Sequence, residues 1–436
     1  MNILMYTLRS IAYMLTDMYS LLLLLLLGVI LYTKNIKTVL MQKTVLGDEV
    51  NSPFELTISQ IVIGIFGGVL ASIIMAYFGV IFYETSGIYV LFLISILLMS
   101  WKPRKICFSY SAAILGILSM LNSYAASFMG MKKIKFLDIN IPSMIALVAI
   151  LHIVEGLLVM VDGSRGAIPI FSKKGENIIG GFALRRLWPL PIAFFILLNS
   201  IDILSIENGS PMPNWWPILN TSIPEKILMN SVVALVSFYG VLGYNSITFT
   251  KSKEKKALSS GIFIMTYGLA MLLFAQISHK NMLIKIISII SMPIFHEIML
   301  IIQQYMEVKK EPKYISNGEG IMVLDVAPNS LAENMGIESG DLLLEINNEY
   351  IKTELDIKEI INRKIIDTIK IKVKKNNGNV KELLKENVYG VNKLGAILIP
   401  KTINEDKQLL DSVGQSFTEI LEKIKEKKDD FKDGDE

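Results

Sequence analysis

Long apolar runs separated by short clusters of Lys and Arg fill the first three hundred residues of this chain, and they constrain its fold more than any other feature. A helix needs about 20 apolar residues to cross the hydrocarbon core of a bilayer. The runs at 12–33, 57–80, 86–101, 106–128, 140–161, 188–206, 228–247, 257–277 and 281–304 are candidates. The third is short and the sixth starts among prolines, so a count of eight stands beside nine. A spanning helix satisfies its own backbone hydrogen bonds in lipid. The expected fold class is therefore an all-α polytopic membrane bundle of eight or nine spans, followed by a small α+β domain. Only 19% of the 436 residues are charged, against about 25% in soluble domains. The charge concentrates from Lys309 onward, which places a boundary near Pro312. The expected division is a transmembrane domain at 1–311, a soluble domain at 312–401, and an amphipathic helix with an acidic tail at 402–436. In the tail, Leu410, Val413, Phe417, Ile420 and Ile424 form a short coiled-coil-like stripe.

Positive residues near span ends orient a membrane protein. Lys34, Lys37 and Lys43, the "WKPRK" turn, the loop 162–187 and "KSKEKK" all fall on one side if nine spans start from an external N-terminus. The soluble domain is then cytoplasmic. The loop "MKKIKFLD" runs against this count. "MYSLLLLLLLGVILY" is followed by "TKNIKTVLMQK", which lacks a small-x-small cleavage site, so the first run reads as a retained span. A net charge of +3 is too small to suggest nucleic acid. The single cysteine, Cys107, excludes an intramolecular disulfide and a multi-thiolate metal site.

Polar side chains inside spans are costly and draw attention. They are His152 and Glu155 three residues apart in "LHIVEG", Asp202, and the pair His296 and Glu297. Their plainest role is to pair across helices and hold the bundle. A zinc-protease helix needs H-E-x-x-H, because residues i and i+4 aim both imidazoles at one metal. Four residues after His296 stands Leu300, and the "DG" of Asp162 and Gly163 precedes the histidine. A three-ligand set of His152, Asp162 and His296 is conceivable but is set aside. No G-x-S-x-G elbow occurs, and the soluble half has no histidine to act as a base. The expectation is no enzyme, no catalytic residues, no cofactor and no metal.

The soluble half has its own local logic. Ser330 and Glu333 form an S-x-x-E capping box, Gly336 ends the short helix, and Gly340-Asp341 turns into "LLLEIN". Thr353 and Asp356 open a second helix, and "TIKIKVKK" with "NNG" starts a hairpin. Over 318–401 this pattern resembles a bacterial PDZ domain. The resemblance implies an extended peptide or chain terminus added as a strand, its carboxylate held by backbone amides. In circularly permuted bacterial PDZ domains the amide loop lies at the far end, which here is "KLGAILIP". The candidate groove residues are Leu394, Gly395, Ala396 and Ile397, with Leu355 on the helix. Gly395 is the strongest, since glycine permits close backbone approach. The alternative is that it only starts a structural strand.

A multi-span region followed by a PDZ domain, with "SPFELTISQIVIGIFGG", "LHIVEGLLVMVDGSRGAIPIF" and "GGFALRRLWPLPI", resembles the MinJ family, topological determinants of cell division in Firmicutes. That resemblance implies a scaffold joining a DivIVA-like polar protein to a MinD-like ATPase. A non-catalytic regulator or substrate-presenting partner of a membrane protease is the alternative. A transporter is a third reading, suggested by buried polar residues and Pro-interrupted spans.

Overall fold

The computed structural model describes residues 3–46, 51–101, 107–174, 177–198, 215–220, 223, 233–317, 319–351, 353–362, 368–386 and 393–400. Asp202 and the stripe at 410–424 lie outside the described residues. The membrane half contains helices α1 (Ile3–Thr16), α2 (Met18–Leu46), α3 (Pro53–Phe78), α4 (Val90–Trp101), α5 (Phe108–Phe128), α6 (Ile141–Asp162), α7 (Lys253–Ile277) and α8 (Met282–Lys309). Six of them, α2, α3 and α5 to α8, are long and apolar enough to cross a bilayer.

This is fewer than the eight or nine expected, and the differences have physical causes. The run 12–33 breaks at Asp17, whose carboxylate accepts a hydrogen bond from the Ser20 amide at 2.9 Å and caps α2. The run 86–101 yields only the 12 residues of α4, about 18 Å of helix. The runs 188–206 and 228–247 do not form helices over their described residues. They contribute two long strands, so the all-α expectation is corrected to a helical bundle enclosing a β-sheet.

That sheet contains β1 (Ile81–Tyr83), β2 (Ile168–Lys174), β3 (Asn177–Leu197), β4 (Val233–Thr248) and β5 (Tyr314–Ile315). β3 pairs antiparallel with β4 from Phe182↔Thr248 to Leu197↔Val233. β2 pairs with its first residues, and β1 runs parallel to residues 195–197. The sequence explains the choice of strand. Pro189 and Pro191 would each remove a helical hydrogen bond and clash with the preceding turn. Two apart in a strand, their nitrogens fall on one edge. The facing segment is rich in Val, Tyr, Phe and Gly, which suit a pleated surface.

Non-helical backbone survives at membrane depth only where protein covers it, and α3 provides the cover. Gly64 and Gly68 lie one turn apart, and a Cβ on either would sit 2.3 Å from the carbonyl oxygen of Pro189 or Pro191. One turn further, the Ser72 hydroxyl accepts from the Ala193 amide at 2.8 Å. The stripe 64-68-72 therefore brings α3 onto the edge of β3 and supplies an acceptor there. α6 and α7 cross as closely: a Cβ at Gly156 would meet the Gly261 carbonyl at 2.6 Å, and one at Gly268 the Ala149 carbonyl at 2.7 Å. Small residues at such crossings are how helices pack without a hydrophobic driving force.

Two carboxylates tie strands to helices. Asp162, at the end of α6, accepts from Arg186 Nε (2.8 Å) and Nη2 and from Trp188 Nε1 (2.8 Å) on β3. Both members of this ion pair are 1% exposed. Glu307 on α8 accepts from the Thr248 and Thr250 hydroxyls and from the Phe249 and Thr250 amides, all within 2.9 Å, while Lys256 lies 3.5 Å away.

The soluble domain docks directly on this sheet. β5 pairs with Ile179 and Gly180 of β3, and Tyr314 packs edge-on against Phe182. Lys253 forms an ion pair with Asp325. Leu324, Ile397 and Ile399 share the apolar core of the membrane half. Residues 314–315, assigned by sequence to the soluble domain, thus complete the membrane-half sheet.

Candidate peptide-binding site

The second sheet has the order β10-β9-β7-β6-β11, with β8 beside β7. Its strands are β6 (Ile321–Val326), β7 (Leu342–Ile346), β8 (Glu349–Tyr350), β9 (Thr368–Lys374), β10 (Val380–Glu386) and β11 (Ala396–Leu398), and its helices are α9 (Leu331–Asn334) and α10 (Glu354–Asn362). The local signals act as the sequence suggests. Ser330 accepts from the Glu333 amide at 3.2 Å, and Glu333 reaches back to the Asn329 amide. Gly336 ends α9 at φ +76°. The Asp356 carboxylate accepts from the Thr353 amide at 2.9 Å, opening α10. Asp341 is buried and accepts from the Glu338 amide and Lys375 Nζ, both at 2.8 Å. This hub links the Gly340 turn to the β9–β10 hairpin.

β11 is the edge strand, antiparallel to β6 with Ala396↔Val326 and Ile397↔Asp325. The Gly395 carbonyl accepts from Ala327, and the Leu394 carbonyl accepts from the Ala332 amide near the start of α9. Strand alternation then turns the backbone groups of Ala396 away from β6, toward the open edge where an added strand would pair.

The four candidate residues divide. Leu394 is buried in the core of this domain. Gly395 adopts φ +74°, and a Cβ there would lie 2.2 Å from Ser330 Cβ. Its conformation and its closeness to the α9 cap both require glycine, so its structural role holds whether or not a ligand binds. Ala396 is half-buried against the domain core, with Ile357, Ile360 and Ile361 of α10 in the same cluster. Ile397 points the other way, into the core shared with the membrane half. Leu355 belongs to α10. Period two along β11 identifies a residue missed from sequence. Leu398 shares the Ala396 face and packs against the same core as α10.

The polar residues of the spans are also partly brought together. Candidate ligand atoms of Cys107, His152 and His296 lie within 4.8 Å of one another. Asp162 is not among them, being held by Arg186 and Trp188. The conceivable His152, Asp162 and His296 set therefore does not assemble.

A short helix capped at both ends, a second helix opposite an edge strand and a glycine-led terminal strand define a PDZ domain, carried by a chain with several helices long and apolar enough to cross a membrane. Residues 322–369 match the family described as PDZ domain. A stretch of 45 residues is 44% identical to proteins named "Probable periplasmic serine endoprotease DegP-like" from Brucella suis biovar 1 (strain 1330) and Brucella abortus biovar 1 (strain 9-941). That stretch is 10% of this chain and 9% of each relative, so the chain spans only a small part of the curated relatives it matches. The likeness is confined to the PDZ domain. A PDZ domain binds peptide or protein ligands, which is the function shared at this level.

Proposed function

We propose that this protein is a membrane-embedded, non-enzymatic adaptor of the MinJ type. Its PDZ domain recruits partners by strand addition along β11, with the added segment lying between Ala396 and Leu398 on one side and α10 on the other. The observation that carries this reading is the edge position of β11, with its Ala396–Leu398 face turned to the α10 cluster. A DivIVA-like polar protein and a MinD-like ATPase are the partners that the resemblance implies, at poles or septum.

We place the PDZ domain in the cytoplasm. The candidate spans among the described residues number six, an even number, so the parity argument from nine no longer applies. What supports the assignment is that several positive clusters lie at the PDZ end, although Lys133 and Lys135 lie at the opposite end, before the start of α6. Gln42 of α2 bonds the Ala167 carbonyl, Lys174 pairs with Glu311, and Lys253 pairs with Asp325. Lys37, Lys43, Arg165 and Lys173 belong to those same segments, as the positive-inside rule expects of a cytoplasmic face. The likeness to proteins named as periplasmic proteases favours a second reading, a regulator or substrate-presenting partner of a membrane protease.

The test is a photo-crosslinking residue at Leu398 in the full-length protein in its own cells, beside a fluorescent fusion. The adaptor reading expects crosslinks to a cytoplasmic division protein and fluorescence at septa or poles. Uniform membrane fluorescence, with crosslinks to a protease or its substrate, overturns it in favour of the second.

A further inference from the structure

The buried cluster around Cys107 is assembled from helices far apart in sequence, and its hydrogen bonds assign its protons. Tyr267 donates to the Met292 carbonyl at 2.9 Å, so its oxygen accepts from the Ser109 hydroxyl at 2.7 Å. The Ser109 proton is thereby spent, and the thiol of Cys107, 3.0 Å from His152 Nε2, is the donor to that nitrogen. His152 Nδ1 lies 2.7 Å from the Val148 carbonyl and can only donate to it, which leaves the lone pair on Nε2. Tyr110 donates to Glu297 Oε1 at 2.6 Å, so its oxygen accepts from His296 Nδ1 at 3.1 Å. The lone pair of His296 is again on Nε2. Both imidazoles are therefore held in the tautomer that a metal requires, each oriented through its other nitrogen by a carbonyl or a carboxylate relay.

We propose that Cys107 on the cap of α5, His152 on α6 and His296 on α8 form a binding site for a divalent transition-metal ion of the zinc class. The donor set is two imidazoles and one thiolate, which suits zinc over the oxygen-seeking magnesium or calcium. Bonds of about 2.0–2.3 Å hold tetrahedral donors about 3.3–3.6 Å apart. Here Cys107 and His152 stand at 3.0 Å, and no pair of the three exceeds 4.8 Å. Small side-chain rotations close the set. His152 and His296 are buried, at 2% and 7% exposure.

Binding displaces the thiol proton to solvent. The thiolate so formed offsets one of the two positive charges. The ion would tie α5 and α6 to α8, the helix that leads into the PDZ docking strand β5. The sequence argument expected no metal because no single helix carries two ligands. The three helices supply them jointly.

The test uses the full-length protein in detergent, stripped by chelator and then titrated with zinc or cobalt. We expect one equivalent of zinc per chain by elemental analysis, and a thiolate-to-cobalt charge-transfer band with cobalt. Cys107→Ser should abolish the band and His296→Gln the stoichiometric zinc, whereas His279→Gln, outside the cluster, should change neither. Tyr110→Phe should weaken zinc binding about 10- to 100-fold, because it cuts the relay to His296. Elution profile and helicity in chelator show that each variant is folded, and Cys107→Ser, nearly isosteric, keeps the test valid if a histidine variant is not. Wild-type protein binding less than a tenth of an equivalent overturns the proposal, as does a cobalt band that persists in Cys107→Ser.

Discussion

Asp162→Ala is the substitution that probes most directly how a β-hairpin is held inside the helical bundle. Three donors, Arg186 Nε, Arg186 Nη2 and Trp188 Nε1, converge on a single carboxylate oxygen. The Arg186 side chain is 1% exposed and also reaches Ser59 on α3 at 2.7 Å. Removing the carboxylate leaves a guanidinium buried with one hydroxyl for company. Breaking a buried pair from one side costs about 3–5 kcal/mol, or roughly two to three and a half powers of ten in the folding equilibrium. Asp162→Asn keeps an acceptor oxygen and should cost less, about 1.5–3 kcal/mol. Arg186→Met in the Asp162→Ala background removes the orphaned charge and should recover at least half of the loss. The assay is reversible unfolding of full-length protein in mixed micelles of increasing denaturing detergent, run as a double-mutant cycle. If Asp162→Ala falls within about 0.5 kcal/mol of wild type, the size of an ordinary surface change, the pair is solvated and the reasoning fails.

Four further outcomes are checkable. Gly68→Ala should destabilise by about 1–3 kcal/mol because its Cβ meets the Pro191 carbonyl at 2.3 Å; Gly28→Ala, whose Cβ meets only Ile61 Cδ1 at 3.4 Å, should be neutral or better in the same unfolding assay. Gly395→Ala should cost about 1–3 kcal/mol through its positive φ and the contact with Ser330, seen as faster proteolysis within the PDZ domain, whereas Leu398→Ala should weaken co-purification of partners by more than it speeds that proteolysis. Lys253→Glu should speed cleavage at the junction near Pro312, and adding Asp325→Lys should slow it again, since the two side chains form the ion pair across the docking surface. Burial holds the Tyr314 phenol above its ordinary value. An undocked tyrosine ionises near pH 10 while the docked one resists, so docking should weaken as pH rises past about 10, and Tyr314→Phe should flatten that part of the profile.

The soluble domain was legible because its signals are local. Ser330 with Glu333, Gly336, Gly340 and the Thr353–Asp356 pair each fix a few residues of backbone through a cap or a turn, and each sits where its hydrogen bonds require. The membrane half was legible only in outline. Hydropathy measures transfer into an apolar medium and says nothing about backbone conformation, so 188–206 and 228–247 scored as spans although they contribute strands. The residues that decide the matter are Pro189 and Pro191, spaced for one edge of a strand, and the stripe Gly64, Gly68 and Ser72 on α3. That stripe reads as a helix-packing motif until β3 is known to be what it packs against.

The candidate sites show the same division between local and assembled features. Gly395 was found because glycine permits close backbone approach, yet sequence alone could not separate ligand approach from the positive φ and the nearness of Ser330. Ile397 and Leu398 are neighbours on β11 with opposite faces, and only the docked membrane half shows what Ile397 packs against. The Cys107 cluster is the extreme case. Spacing rules such as H-E-x-x-H work when one helix carries two ligands, because the helical period then writes the site into the sequence. Cys107 and His152 stand 45 residues apart on different helices, and His296 comes from a third. One cysteine excludes a site made of several thiolates. It leaves open a mixed site whose other donors are imidazoles, and the tautomers fixed by Val148 and by the Tyr110–Glu297 relay point to that kind of site.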